Sequence, residues 1–236
     1  MIYALLTLLL TATFVASPYF TSPFSGFEAD QLPIPQIEPP IQPEGYAFAI
    51  WGLIYGWLVV SAVFGVIFRT DDAEWDEVRK PLIVSLLVGT PWLWVANQSA
   101  VWATILIFVM AIAAIFALFE APIRDRWWLQ APVAIYAGWL TAASFVSLGS
   151  TAAGYGILTD QVGWAYLGII GAGIVALSVQ AGRPDAPEYG LTVVWALVGI
   201  VVANGVTTLS VTLAAIVALA LILGLLVSQR RTLSAA

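Results

Sequence analysis

The stretch GYAFAIWGLIYGWLVV, residues 45–60, contains two Trp, two Tyr, one Phe and three Gly, and it contains no charged residue. The rest of the chain has the same character, because 61% of its 236 residues are hydrophobic and only 9% are charged. A water-soluble domain of this length has too little interior to bury so much apolar surface. The sequence therefore predicts an integral membrane protein whose main surroundings are the lipid bilayer.

The spacing within this stretch predicts two different faces on one helix. Phe48, Trp51 and Tyr55 follow one another at intervals of three and four residues, so they share a face. Gly52 and Gly56 form a G-x-x-x-G pair on the adjacent strip, where small residues let a second helix approach closely in lipid. We expect the glycine strip to dock against a neighbouring helix and the aromatic strip to project into the space beside it.

Hydropathy divides the chain into about eight membrane spans, each near the length of about 20 residues that a bilayer requires. The predicted fold class is an all-α, polytopic helical bundle. The third and seventh spans are short, and re-entrant segments remain an alternative for them. The predicted spans are 2–19, 46–68, 81–97, 101–119, 127–149, 162–181, 190–204 and 207–229.

The basic residues predict the orientation of the bundle. With eight spans, all eight Lys and Arg residues fall on one side of the membrane, as the positive-inside rule requires of the cytoplasmic side. Both termini are then cytoplasmic, and we expect the membrane to be a bacterial inner membrane. The opposite side carries acids only, and its largest feature is the Pro-rich loop 18–45. That loop is either an extended solvated connector or a cover for a site beneath it.

The composition excludes several classes of protein. The chain has no Cys and no His, so disulfides, thiolate nucleophiles and the usual transition-metal ligands are absent. Every charged residue lies in a loop or at a span end, so proton-relay and voltage-sensing machinery is missing. We therefore expect no enzyme, no metal site and no covalent cofactor. The net charge of −6 also argues against nucleic-acid binding.

The remaining polar and aromatic residues concentrate in the half of the bundle beneath the Pro-rich loop. They either form an aromatic belt at the membrane surface or line a pocket for a large, flat, apolar ligand. For the pocket, Trp and Tyr rings would stack on the ligand, and an amide would supply a polar contact. The candidate residues are Trp51, Tyr55, Asn97, Trp102, Tyr136 and Trp139.

The run GYAFAIWGLIY, the Trp-rich hairpin with its Asn, and YAGWLTAASF in the fifth span together resemble the tryptophan-rich sensory protein, or translocator protein (TspO/MBR), family. The resemblance is closest to a longer, eight-helix branch. It implies a five-helix unit over residues 1–150, with three helices appended over 151–236.

The family resemblance implies a bundle that binds tetrapyrroles such as protoporphyrin, or in some members sterols, beneath its first long loop. Trp51 and Tyr55 match the family's W-x-x-x-Y, and Tyr136 and Trp139 match the aromatic pair of its fifth helix. Asn97 is followed by Trp102 after five residues, where the family spacing is three.

Two functions and one weaker alternative follow from the sequence. The leading hypothesis is a sensor, carrier or regulator that binds a tetrapyrrole, a carotenoid or a lipid without a covalent bond. The runner-up is an accessory or assembly subunit of a larger membrane complex, such as a photosynthetic one. For this second role, glycines in the sixth span would contact partner proteins or a second copy of the chain, or else they pack internally. They are Gly163, Gly168, Gly171 and Gly173. A pore for a small neutral solute is the third reading.

Overall fold

The computed structural model describes residues 1–22, 24 and 26–235, and for residues 29 and 232–235 it describes the backbone alone. These residues form helices and connecting segments, with no strand among them. The helices are α1 (Ile2–Ala16), α2 (Ile50–Phe68), α3 (Ala73–Gly89), α4 (Trp92–Ala96), α5 (Ala100–Glu120), α6 (Ala131–Gly154), α7 (Gln161–Gly182), α8 (Pro187–Asn204) and α9 (Leu209–Ala235). Short 3₁₀ turns precede α2 (Gly45–Ala49) and follow α1 (Ser17–Phe20), and one π-helical turn (Arg126–Gln130) leads into α6.

Seven helical segments of the described chain are long and apolar enough to span a bilayer, which confirms the predicted polytopic helical membrane protein. They are Ile2–Phe20, Gly45–Phe68, Ala100–Glu120, Arg126–Gly154, Gln161–Gly182, Pro187–Asn204 and Leu209–Arg231. The predicted seventh span, 190–204, is thus a helix of full spanning length.

The third predicted span, 81–97, differs from the structure. Its helix, α3, begins eight residues earlier, where the Asp72 carboxylate accepts hydrogen bonds from the backbone N–H groups of Glu74 and Trp75 and so caps the first turn. The first half of α3 is therefore charged. The helix ends at Gly89, and after Pro91 a separate short helix, α4, continues the path. Both α1 and α5 pack against α3, so it is part of the bundle.

Helix α6 lies at the centre of the molecule. It packs against α2, α5, α7 and α8, while α9 packs on α7 and α8. Within its most apolar 18-residue window, 78% of the residues are buried. Its sequence is rich in Ala, Gly and Ser, and such small side chains let surrounding helices approach closely. The predicted division at residue 150 falls inside this helix, and it stays a prediction.

The basic residues and the acids that pair with them meet at one end of the bundle, which we call the charged end. There the Arg69 Nε donates to Asp125 Oδ2 at 2.8 Å, and Arg126 Nη2 donates to Glu188 Oε1 at 2.6 Å. The N-terminal ammonium donates to Asp71 at 2.6 Å, so α1 begins at this end.

Helix α9 also finishes at the charged end, because the Gln229 amide donates to the Gln180 carbonyl at 2.9 Å, close to Arg183. Arg230 and Arg231 follow directly. The basic residues thus share one end of the molecule, as expected; the compartment that this end faces stays a prediction.

Asp125 is the central acid of the charged end. Burial by itself would raise the pKa of its carboxyl, but hydrogen bonds from Arg69 and from the Trp75 indole, with the charges of Arg69 and Arg124, hold the pKa below its ordinary value. The pKa of Asp185 is also lowered, because bonds from Arg183 and Gln130 and the charge of Arg183 outweigh burial. Both acids are therefore ionised at neutral pH.

Candidate functional site

A cavity of about 250 Å³ lies in the half of the bundle opposite the charged end. It is enclosed by side chains from α1, α2, α4, α5, α6 and α8 and by the loop 18–45. Its lining is mostly aromatic and aliphatic. The lining residues are Phe14, Pro18, Ser22, Phe24, Gly26, Phe27, Gln42, Pro43, Phe48, Trp51, Tyr55, Trp92, Leu93, Ile107, Met110, Trp139, Leu140, Ala142, Ala143, Val146, Ser147, Ser150 and Ala196.

Aromatic rings from three helices form one wall of the cavity. The Trp51 and Tyr55 rings are stacked, with centroids 5.1 Å apart, and the Phe14 ring meets Tyr55 edge-on at 5.4 Å. Trp139 of α6 meets Phe48 at 5.7 Å and Trp51 at 6.2 Å, again edge-on. Such offset and edge contacts fix the ring planes, and they leave flat faces available for an aromatic or polyene ligand.

Trp139 contributes a buried polar group to this wall, and that group lacks a partner among the described residues. The side chain is only 2% exposed, and its indole N–H has no hydrogen-bond acceptor within the described part of the chain. A buried donor without an acceptor costs about 1–3 kcal/mol, so buried donors in proteins almost always have partners. The cavity lining therefore includes a residue whose buried N–H group would be stabilised by a hydrogen-bond acceptor.

A second part of the lining is polar but already satisfied. Ser147 of α6 lies within hydrogen-bond distance of the Thr104 hydroxyl, at 2.8 Å, and Thr104 also contacts Thr151 at 2.9 Å. Ser150 completes this side of the cavity. The cavity thus has an aromatic side with an unpaired donor and a hydroxyl side on which Ser147 bonds to Thr104.

The Pro-rich loop covers the cavity. Phe24 packs edge-on against Trp92 with centroids 5.2 Å apart, and both line the cavity. Backbone and side-chain hydrogen bonds hold the loop to the helices: Ile34 N–H donates to the Gly154 carbonyl at 2.8 Å, and the Asn204 amide donates to the Pro40 carbonyl at 2.8 Å. Of the two predicted alternatives, the structure places the loop over a cavity.

Glycines of α6 and α7 make room for the loop. Ile41 is 2% exposed and packs against Gly168, where an added Cβ would lie 2.0 Å from the Ile41 Cδ1 atom. Gly149 faces the same side chain, and Gly171 faces the ring of Phe145. The glycines of the sixth predicted span were expected either to contact partner proteins or to pack internally. Gly168 and Gly171 pack internally.

The glycine strip of α2 differs from expectation. The described chain places no atom within 4 Å of a Cβ built on Gly52 or on Gly56. The prediction that this strip docks against a neighbouring helix of the same chain is therefore wrong. The aromatic strip beside it, with Phe48, Trp51 and Tyr55, does face the cavity.

The structure brings together three of the six predicted site residues, Trp51, Tyr55 and Trp139, in the cavity lining. Tyr136 lies behind the wall, where its ring meets Phe14 and its hydroxyl lies 2.9 Å from that of Ser85.

The other two predicted residues lie away from the lining. Asn97 donates to the Ser22 carbonyl at 3.4 Å, so it contacts the loop. Trp102 is 61% exposed on α5, two residues beyond the position that the family spacing would give. A ligand-binding role for each of the six residues stays a prediction.

Sequence reasoning missed several lining residues. Phe14 was read only as part of an apolar span, and Ile107 and Met110 have no feature that separates them from lipid-facing residues in a uniformly hydrophobic helix. Ser147 is a polar residue within the predicted fifth span and Ser150 lies one residue beyond its end, and their spacing of three places them on one face of α6.

The fold and cavity define a polytopic helical membrane protein with an enclosed, aromatic-lined internal site. A family model described as TSPO-like protein matches residues 2–228, so the chain belongs to the TSPO-like family. The match covers both predicted parts of the chain. No curated protein and no solved structure gives a significant match.

Proposed function

We propose that this protein binds a flat, largely apolar small molecule in the cavity beneath the loop, as a sensor, carrier or regulator in a bacterial inner membrane. One observation carries the proposal: the buried indole N–H of Trp139, in the aromatic wall of the cavity, has no acceptor among the described residues. A ligand with a carbonyl, carboxylate or ring nitrogen would supply that acceptor while its apolar body contacts Trp51 and Tyr55.

A tetrapyrrole such as protoporphyrin is the ligand class that the family favours. It has a flat ring system for stacking and carboxylates that accept hydrogen bonds. Binding would use ring contacts and not axial ligation of a metal by Cys or His, because the chain has neither. A carotenoid or lipid would suit the apolar wall as well, but only one with a terminal acceptor would satisfy Trp139.

The size of the cavity sets a condition on this ligand. Its volume of about 250 Å³ lies below the roughly 300–1,000 Å³ of pockets that enclose drug-sized ligands. A whole tetrapyrrole would therefore require the loop above the cavity to move. The residues that would separate from the helices are those at the inner surface of the loop, including Phe24 and Phe27.

The test is a titration of the purified full-length protein with protoporphyrin, with quenching of Trp fluorescence as the signal. Trp139→Phe keeps an aromatic ring but removes the N–H donor, and it should weaken binding by about tenfold, the value of one hydrogen bond. Trp94→Phe is the matched control, since Trp94 is 62% exposed and outside the lining. Its affinity should equal that of the wild type.

Two results would contradict the proposal. One is the absence of saturable quenching in the wild type with protoporphyrin and with an apolar acceptor-bearing ligand of smaller size. The other is an equal loss of affinity in Trp139→Phe and Trp94→Phe, which would place binding on the outer surface.

A second candidate function, an accessory subunit of a larger membrane complex, is favoured by the exposed strip at Gly52 and Gly56. With no atom of the described chain nearby, the strip could receive a helix of another protein. Co-purification of a stoichiometric partner in mild detergent, lost on Gly56→Leu, would support this function. A lone chain under those conditions would count against it.

A further inference from the structure

A second concave site lies on the outside of the bundle, separate from the covered cavity. It is a groove of about 440 Å³ between α2 and α8, with Ile135 of α6 among its lining residues. Ile50 and Leu53 of α2 line one side, and Leu191 and Trp195 of α8 line the other. Leu53 and Leu191 are each 50% exposed, so the groove opens onto the surface that faces lipid.

The groove also contains one ionisable side chain, Glu188, in the first turn of α8. Its Oε1 accepts a hydrogen bond from Arg126 at 2.6 Å, but its Oε2 is buried and has no partner among the described residues. The side chain as a whole is 12% exposed. A carboxylate oxygen removed from water strongly favours a hydrogen-bond donor, and no lining residue supplies one to Oε2.

Arg126 places a positive charge beside this carboxylate. Its side chain is 31% exposed, it stacks over the exposed ring of Trp127 with 5.3 Å from Cζ to the ring centroid, and it belongs to the charged end. Trp and Arg in such positions are typical of the level of lipid headgroups. An apolar groove therefore adjoins an acid with a free acceptor and a partly exposed base.

We propose that this groove binds one phosphatidylethanolamine molecule from the bilayer. An acyl chain lies along Leu53, Leu191 and Trp195, the primary ammonium donates to Glu188 Oε2, and the phosphate faces Arg126. The zwitterionic headgroup carries one charge of each sign, opposite to those of Glu188 and Arg126, and its ammonium supplies the N–H donor that the carboxylate lacks. The groove and the covered cavity share no lining residue, so this site is independent of the ligand proposed above.

The test uses native mass spectrometry of the full-length protein in detergent, with two lipids that carry identical acyl chains. Phosphatidylcholine differs from phosphatidylethanolamine only by three N-methyl groups, which remove every N–H donor. The wild type should bind phosphatidylethanolamine about tenfold more tightly than phosphatidylcholine. Glu188→Gln should largely remove this preference, because its amide is neutral and its oxygen is a weaker acceptor for the ammonium than a carboxylate oxygen.

Two further variants test whether the lipid preference arises in the groove and not from the overall charge of the protein. Glu77→Gln makes the same charge change in an exposed ion pair at the charged end, and it should keep the full preference. Leu191→Trp fills the groove without a change of charge, and it should reduce binding of both lipids. This variant tests the site even if Glu188→Gln fails to fold.

Three outcomes would overturn the proposal. They are equal binding of the two lipids by the wild type, a preference that survives Glu188→Gln, and undiminished lipid binding by Leu191→Trp. A lipid-free dimer as the main species, dissociated by Leu191→Trp, would assign the groove to a second copy of the chain instead.

Discussion

Gly168 has no room for any side chain larger than its own hydrogen atom. A Cβ there would lie 2.0 Å from the Ile41 Cδ1 atom and 3.2 Å from the carbonyl oxygen of Phe145, so the Ile41 side chain would have to rotate or the loop would have to move. Gly52, also within a membrane helix, has no neighbouring atom within 4 Å in the described chain. Glycine therefore allows close packing at Gly168 in α7, whereas at Gly52 in α2 it faces open space.

This contrast gives a matched pair of variants. Gly168→Ala should destabilise the protein by about 1–3 kcal/mol through overpacking against Ile41. Gly52→Ala should leave the stability unchanged or raise it slightly, because Ala favours helix more than Gly does. Thermal unfolding in detergent, followed by intrinsic Trp fluorescence, measures both. An equal loss in the two variants would contradict the packing of the loop described above.

The lowered pKa of Asp125 predicts that the stability of the fold depends on pH. Its carboxyl has a pKa held below the ordinary value of 3.8 in the folded protein, so the ionised form stabilises the fold at neutral pH. That stabilisation should persist down to about pH 4 and decline as the pH falls further, through the lowered folded-state pKa.

Asp125→Asn should therefore cost about 1–3 kcal/mol at pH 7, where the bonds from Arg69 and Trp75 to a carboxylate are lost. The difference between variant and wild type should narrow below pH 4. Unfolding temperatures recorded from pH 7 to pH 3 check this. Glu77→Gln, in an exposed ion pair with Lys80, should show little effect at any pH.

Among the larger elements, the loop 18–45 contributes part of the cavity lining and is held to the helices beside it. The Ile41 side chain of the loop packs between α6 and α7. Backbone hydrogen bonds from the loop to the carbonyls of Gly154 and Gly199 hold its middle and its end. A ligand larger than the cavity can enter only when some of these contacts open. Its association should then be limited by loop opening and fall below the usual range for a preformed site.

Ile41→Ala removes most of the side chain that packs the loop against α6 and α7, and Ile41 is not a lining residue of the cavity. The variant should therefore bind the ligand with an association rate several-fold higher than that of the wild type. Stopped-flow quenching of Trp fluorescence by protoporphyrin measures the rate. Ile174→Ala, on the exposed face of α7, is the control and should leave the rate unchanged. If both variants associate at the wild-type rate, the ligand enters by a path that does not involve the loop.

Helix α3 shows where hydropathy misplaces an element. The segment RTDDAEWDEVRK, 69–80, is too charged for a membrane span, so the predicted span starts after it. The structure extends the helix through most of this segment, because Asp72 caps it and because Arg79 is buried with bonds to the Asp76 carboxylate and the Gly65 carbonyl. Hydropathy treats Arg79 as exposed, since its hydrogen bond to a backbone carbonyl of a second helix is a tertiary contact that hydropathy does not include.

At the scale of the whole molecule, the sequence was sufficient for the class of fold and for much of the aromatic wall. Apolar length alone predicts spans, and helical periodicity alone places Phe48, Trp51 and Tyr55 on one face. Helical periodicity could not say which strip of α2 faces the bundle, because in lipid both the inside and the outside of a bundle are apolar. Gly52 and Gly56 were misassigned for this reason.

The absence of Cys makes the orientation directly testable. Glu77→Cys at the charged end and Val206→Cys, which is 89% exposed in the turn between α8 and α9, each introduce a single thiol. In intact bacterial cells, a membrane-impermeant maleimide should label Val206→Cys at once, and Glu77→Cys only after permeabilisation. The reverse pattern would place the charged end outside and contradict the positive-inside prediction.

The separation of charge has a kinetic consequence for the covered cavity. Beyond the membrane helices, the end that carries the loop has five acids and no bases: Glu28, Asp30, Glu38, Glu44 and Asp160. An anionic molecule arriving from water would meet a repulsive field, and dissolved salt would weaken that field over distances of about 10 Å. A dicarboxylate ligand should be captured faster as ionic strength rises, whereas its uncharged diester should show no such acceleration. The acidic surface would thereby favour neutral molecules, or those already dissolved in the bilayer.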